Sequence, residues 1–429
     1  MTITFIAHST PEPAFYGALA AIFAELRALP LCHLPVSFDS KRFINARQYV
    51  CAEGEQVTSG LLWLERLTGH GAKGEFDMES LLNRAVKEDI VVPLNQPLSS
   101  ECYQDLIRGI VEKGILIESL RVVRESNLYQ LEDCESGKTR CQSWTRDSFG
   151  RWVSGAMNQP VMRAGKNLRL ALPGEASEHR DSYPATLAAL GDAADALAMN
   201  IEVIYLSPAL VGSQLESTLF DIDGILLPGL GVQGAESAHA HTASQLAVAK
   251  WALENQTPIL GLNGGMHMMV AALGQHILGD DAIATPGPST LNALQSSLPL
   301  EPEPLRQGNH KVIFQAGSKM AKMMGREAKM RYNQRRRLSP QLLDQLAGAG
   351  LQISGTDETG LSAESVELRT HPFFIGVQAN PELQSRRERP HPLLMALLQQ
   401  VRQSNRERDV SHDALTKSVR LRHPHFLMG

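Results

Sequence analysis

The residues with most claim to chemistry lie in Thr257-Pro258-Ile259-Leu260-Gly261-Leu262-Asn263-Gly264-Gly265-Met266-His267. An apolar run leads into glycines and on into an apolar-periodic stretch, Met266 to Leu273. The pattern predicts a strand, a sharp turn and a helix, the backbone that lifts one side chain over the carboxyl edge of a sheet as a nucleophile. Here that side chain is Asn263. An amide has no usable nucleophilic form near neutral pH, whereas serine or cysteine there would be activated by a neighbouring base. The elbow is present and its nucleophile is not.

Other constellations are weaker. His267, on the elbow helix, reads as structural or surface rather than as a substitute base. His239 and His241 flank one residue, but without a third ligand they read as solvated, and no metal or cofactor is expected. Gly229-Leu230-Gly231-Val232-Gln233-Gly234 spells GxGxxG, with Glu254 twenty residues on. The dinucleotide fingerprint belongs to the first strand of its unit, however, and two strands precede this one. Gly69-His70-Gly71-Ala72-Lys73-Gly74 follows no convincing strand and reads as a flexible surface loop.

These residues must be held by more than one domain, because 429 residues exceed an ordinary single core. Hydrophobic content of 43% and charged content of 20% are those of a soluble globular chain, and a net charge of −5 favours neither nucleic acid nor an anionic membrane as partner. No apolar run approaches a membrane span, and the opening MTITFIAHSTPEP lacks the basic segment of a signal peptide, so the cytoplasm is the expected compartment. All five cysteines, Cys32, Cys51, Cys102, Cys134 and Cys141, fall in the first third, at spacings that fit neither zinc nor a disulfide framework. No thiol after residue 141 can stand in for the one missing at Asn263.

Residues 1–165 read as a small α/β domain. Strands are expected at 2–6, 90–94 and 115–123, with helices from Phe15 to Leu26 and from Tyr103 to Lys113. His8-Ser9-Thr10-Pro11-Glu12-Pro13 follows the first strand without the glycine or lysine of a phosphate loop, and its prolines remove two of the donors such a cradle needs. Past a boundary between Pro160 and Lys166, strands at 168–172, 201–205 and 224–227 alternate with helices from Tyr183 to Ala194 and from His239 to Glu254. That alternation implies a parallel sheet covered on both faces. After residue 403 the chain becomes polar, and 404–429 reads as a loosely ordered tail.

Gly261 to His267 resembles the Gly-Ile-Cys-Leu-Gly-Met-Gln of class I glutamine amidotransferases, above all the glutaminase domain of CTP synthase, with Asn263 in the cysteine position. Leu227-Pro228-Gly229-Leu230-Gly231 resembles that family's oxyanion loop. Ala349 to Thr356, His371 to Gln378 and Arg389-Pro390-His391-Pro392-Leu393 are similar to its later motifs, in family order. The resemblance implies that 166–403 is a flavodoxin-like glutaminase domain. It places the histidine and glutamate of the catalytic triad at Asn380 and Glu382 in Ala379-Asn380-Pro381-Glu382, so only the glutamate survives. It also sets Arg331-Tyr332-Asn333-Gln334-Arg335 against a basic run that grips the glutamine carboxylate. Arg335 could therefore bind a carboxylate, or belong to a solvated loop. The first domain, with Ser143 to Trp152, is similar to small P-loop kinases of the tunicamycin-resistance type, without their phosphate loop.

The resulting expectation is a pseudo-glutaminase that binds a small ligand or a partner in nucleotide or amide metabolism, through Gly229, Gly231, Gly264 and Arg335. A homo-oligomer is compatible with this. The alternatives are an enzyme of altered chemistry assembled between the two domains, or ammonia-dependent CTP synthesis.

Overall fold

The computed structural model describes residues 1–422 except 9, 40–41, 44–45, 47–48, 156–164, 211, 230–234 and 280–299. Gly231 and most of the expected linker lie outside the described residues.

The chain opens with β1 (Thr2–Ala7), a run of β-branched and apolar residues buried on both faces, as an interior parallel strand requires. It is followed by α1 (Ala18–Arg27), the short hairpin β2 (Tyr49–Val50) and β3 (Gln56–Val57), α2 (Leu62–Thr68) and α3 (Met78–Ala85). Asp77 caps α3 by accepting from the Ser80 N–H. Then come β4 (Ile90–Leu94), α4 (Gln104–Glu112), β5 (Leu116–Glu125), β6 (Leu128–Asp133), β7 (Trp144–Arg146) and β8 (Trp152–Ser154). Leu106 and Ile110, one turn apart on α4, are its buried residues. The sheet runs β4-β1-β5-β6-β7-β8, parallel across β4, β1 and β5 and antiparallel beyond.

The second half holds β9 (Asn167–Pro173), a π-helical turn (Glu178–Ser182), α5 (Ala185–Ala196), β10 (Asn200–Leu206), α6 (Gly212–Leu219), β11 (Gly224–Leu227), α7 (Ala235–Glu254), β12 (Ile259–Leu262) and α8 (Gly264–Leu278). Next are β13 (Leu300–Phe314), α9 (Lys319–Met324), β14 (Glu327–Leu338), α10 (Pro340–Ala347), β15 (Leu351–Thr356), β16 (Ala363–Leu368), β17 (Phe374–Val377) and α11 (Pro392–Arg422). The nine-stranded order is β10-β9-β11-β12-β17-β16-β15-β13-β14. The parallel sheet expected here is its first five strands; the other four pair antiparallel. The polar stretch expected as a loose tail is helical as far as Arg422, because α11 continues through it.

The two halves share a core. Tyr183, Ala185, Ala188 and Leu383 pack into the same buried cluster as Ile6, Phe15, Leu61 and Trp152. Buried ion pairs cross the same junction. Arg66 of α2 holds both Asp192 oxygens at 2.8 Å, and Asp192 also accepts from Ser385 Oγ at 3.1 Å. Among the described residues no helix is long and apolar enough to cross a membrane.

Candidate functional site

β12 delivers the chain to Asn263, which takes φ 47° and ψ −114° before α8 begins. Few residues with a β-carbon adopt that conformation. It is fixed from both sides, since the Asn263 N–H donates to the Val377 carbonyl at 2.7 Å and the Asn263 carbonyl accepts from Met266 N–H at 3.0 Å. Gly265 is needed because a β-carbon there would run into the Leu227 main chain, and one on Gly261 would meet Met269 and the Gly265 backbone. The turn is an elbow, and its helix is longer at both ends than the apolar period implied.

Asn263 Nδ2 donates to Asn380 Oδ1 at 3.2 Å and to the Asn333 carbonyl at 3.3 Å. Asn380 Nδ2 donates in turn to Glu382 Oε1 at 3.0 Å, and Tyr183 supplies a second donor to that oxygen at 3.0 Å. Asn263, Asn380 and Glu382 thus form one hydrogen-bonded line, with each amide in the donor sense toward the carboxylate. Glu382 is buried and its Oε2 has no hydrogen-bond partner among the described residues. Burial raises its pKa above the ordinary carboxylate value, against the opposing bonds from Asn380 and Tyr183. Burial likewise holds Tyr183 well above the usual phenol range.

Gly229 closes the other wall. A β-carbon there would lie 3.0 Å from Asn263 Cβ and 3.5 Å from Asn380 Nδ2. Gly264, half-buried, opens α8 directly after Asn263, so its amide is among the helix N-terminal groups without an intrahelical acceptor. The Asn263 Oδ1 accepts no hydrogen bond among the described residues, which leaves an acceptor at the rim.

Within the basic run, Arg331 turns away from this site. Arg331 is 2% exposed and turns to the first domain, with Nη2 2.7 Å from Glu65 Oε1, Nη1 on the Val50 carbonyl and Nε 2.8 Å from Asn309. Arg335 is exposed and pairs with no acid among the described residues. The residue of β14 that reaches the elbow is Asn333, whose Oδ1 also accepts from Gln307 at 3.1 Å.

His267 is buried, 2.9 Å from Gln378, and burial pushes its pKa down to about 4; it is a structural histidine. His241, expected to be solvated, is instead buried with Nε2 3.3 Å from Glu178, while the side chain of His239 lies outside the described residues. No three His, Cys, Asp or Glu side chains are grouped to hold a metal ion among the described residues. The glycine-rich run 69–74, expected as a flexible surface loop, packs instead: Gly71 sits against Cys51, Ala72 is buried, and the Gly69 carbonyl accepts from Arg386 at 3.2 Å.

Sequence reasoning missed Tyr183 and Asn333. Asn333 meets the elbow through its main-chain carbonyl, which no side-chain pattern announces. Nothing local marks Tyr183, which reaches Glu382 across 199 residues.

The family described as glutamine amidotransferase class-I matches residues 180–400. The CTP synthase of Sulfurisphaera tokodaii is 30% identical over 263 residues, 58% of this chain and 48% of that protein. The CTP synthase of Clostridium kluyveri is 27% identical over 342 residues, 74% of this chain and 61% of that protein. The chain therefore spans about half the length of the curated relatives it matches. Among solved structures, a Trypanosoma brucei CTPS glutaminase domain with bound acivicin is similar at TM-score 0.49 and 23% identity, over 55% of this chain and 94% of that one.

Proposed function

The chain belongs to the class-I glutamine amidotransferase family, and on that premise we propose that it is a CTP-synthase-like member that has lost glutamine hydrolysis and keeps the old amidase pocket for binding. The observation that carries this reading is the line Asn263–Asn380–Glu382. Cleaving an amide by the family's route needs a thiolate, then a base that gives its proton to departing ammonia. Asn263 cannot add to a carbonyl and Asn380 cannot carry a proton. Two groups at the elbow support binding of a polar ligand: the unused Asn263 Oδ1 can accept an N–H, and the Gly264 amide at the start of α8 can donate. An amide or acid of small size matches those two functions.

The decisive measurement is ammonia release from glutamine by the purified chain, with labelling by a glutamine-mimicking thiol alkylator. No release above blank and no label in the second domain are expected. Turnover that survives replacement of all five cysteines would overturn the reading. In a thermal-shift screen with glutamine, UTP, CTP and ATP, a ligand of this pocket raises the melting temperature. Gly229→Val, whose side chain would press on Asn263 and Asn380, then abolishes the shift. Arg335→Ala reports whether that exposed guanidinium takes part.

A further inference from the structure

The smaller sheet has a switch point of its own. From β1 the chain moves to β4 on one side and then crosses to β5 on the other, so the carboxyl ends of β1 and β5 flank the place where connections diverge. Ligands of open α/β sheets sit at such crevices. A cavity of about 350 Å³ opens there, walled by Thr10 after β1, by Arg124 at the end of β5, and by Arg180 of the second domain's π-helical turn. That volume is at the lower end of the range for small-molecule sites.

The charges around it are unequally committed. Arg146 is tied down, with its Nε on the Gly150 carbonyl at 3.0 Å, Nη1 3.3 Å from Asp181 and its plane over the Phe15 ring at 4.6 Å. Glu12 is paired with Arg42 outside the lining, at 3.9 Å. Arg124 spends one nitrogen on the Ser126 carbonyl at 2.9 Å and has no acidic partner among the described residues. The half-buried Arg180 guanidinium has neither hydrogen bond nor ion pair among them. Two guanidinium groups, one from each domain, therefore border the cavity without an ion pair among the described residues, while the lining carboxylates Glu12 and Asp181 are paired with Arg42 and Arg146. Thr145 adds a neutral hydroxyl to the lining, whereas the Thr10 hydroxyl lies 3.1 Å from His8 Nδ1.

We propose that this cavity binds a phosphomonoester of sugar-phosphate or mononucleotide size, its dianion gripped by Arg180 and Arg124. The loop after β1 has no glycine and two prolines, so it offers no backbone cradle; the grip comes from side chains. A planar carboxylate saturates one arginine fork, whereas a phosphate has oxygens enough for two forks and a hydroxyl. The ligand would join the two domains, and the turn that supplies Arg180 also leads to Tyr183, the donor to Glu382.

Titration calorimetry on the full chain at low salt tests this, with inorganic phosphate, ribose 5-phosphate, AMP and succinate as probes. Saturable binding is expected for the phosphomonoesters, weaker binding for inorganic phosphate, and none for succinate. Arg180→Gln and Arg124→Gln should each weaken phosphomonoester binding roughly 10-fold or more, as loss of a charged hydrogen bond does. Arg121→Gln, whose guanidinium is paired with Glu132 at 2.8 Å away from the cavity lining, should leave it unchanged. If Arg180→Gln fails to fold, Arg180→Lys, which keeps charge but loses the fork, takes its place. No saturable binding of any phosphate probe, succinate bound as tightly as the phosphates, or unchanged affinity in folded Arg180 and Arg124 variants would each overturn the proposal.

Discussion

At position 263 the main chain holds a conformation with φ 47° that costs a side-chain-bearing residue roughly 1–3 kcal/mol, although no nucleophile is there to use it. The geometry survives because the glycines around it and the bond to Val377 determine it independently of the side chain. A cysteine placed there would therefore inherit the posture, and an imidazole at 380 would stand in contact with it, since the present amides are 3.2 Å apart. A thiol beside a protonated imidazole is ionised at lower pH and reacts faster. In a background with the native cysteines replaced, Asn263→Cys combined with Asn380→His should be alkylated by iodoacetamide at pH 7 at least about 10-fold faster than Asn263→Cys alone. Equal rates would show that the two positions do not couple as the hydrogen-bonded line implies.

The elbow as an element depends on how closely α8 can approach β11. Gly265→Ala puts a methyl against the Leu227 carbonyl, a backbone atom that cannot step aside, so overpacking of about 1–3 kcal/mol or more is expected in urea unfolding. Gly348 provides the contrast: its φ of −63° is ordinary and a β-carbon there meets nothing within 4 Å. Gly348→Ala should stabilise by about 0.4–1 kcal/mol through the unfolded chain. Similar effects at both sites would mean that the elbow glycines are not under steric demand. This element was legible in the sequence because its cause is local: apolar strand, small residues, apolar helix. The positions of Asn380 and Glu382 were legible only through the family motif. What was not legible depends on pairing between distant segments. The Asn333 carbonyl meets the elbow through the pairing of β14, and Arg331 is withdrawn from the site by Glu65, 266 residues earlier. The packing of the 69–74 loop and the burial of His241 follow from the same kind of long-range contact, which composition and period do not encode.

For the whole molecule, the buried pair Arg331–Glu65, exposed 2% and 5% at the side chains, ties the two halves together across their junction. Desolvating both charges is costly, and leaving either alone is costlier. Arg331→Leu and Glu65→Gln should each destabilise by about 3–5 kcal/mol, and the double variant by clearly less than their sum. Fluorescence of Trp63, Trp144 and Trp152 in the first half, recorded in a Trp251→Phe variant, and far-ultraviolet dichroism should report one shared transition. Additive losses, or two separate transitions, would contradict a common core.

That common core sets a schedule for biosynthesis. Strand β1 leaves the ribosome before the other strands of its sheet, yet the cluster that covers Ile6 and Phe15 is completed by Tyr183, Ala185 and Ala188 and finally by Leu383. At roughly 5–20 residues per second, the nascent first half must wait about 10–45 s for Leu383. During that interval its apolar face has no native cover, which makes the growing chain a client for chaperones that shelter hydrophobic surface. The order in which the segments emerge, as well as the stability they finally reach, then governs how much of the protein accumulates in its folded form.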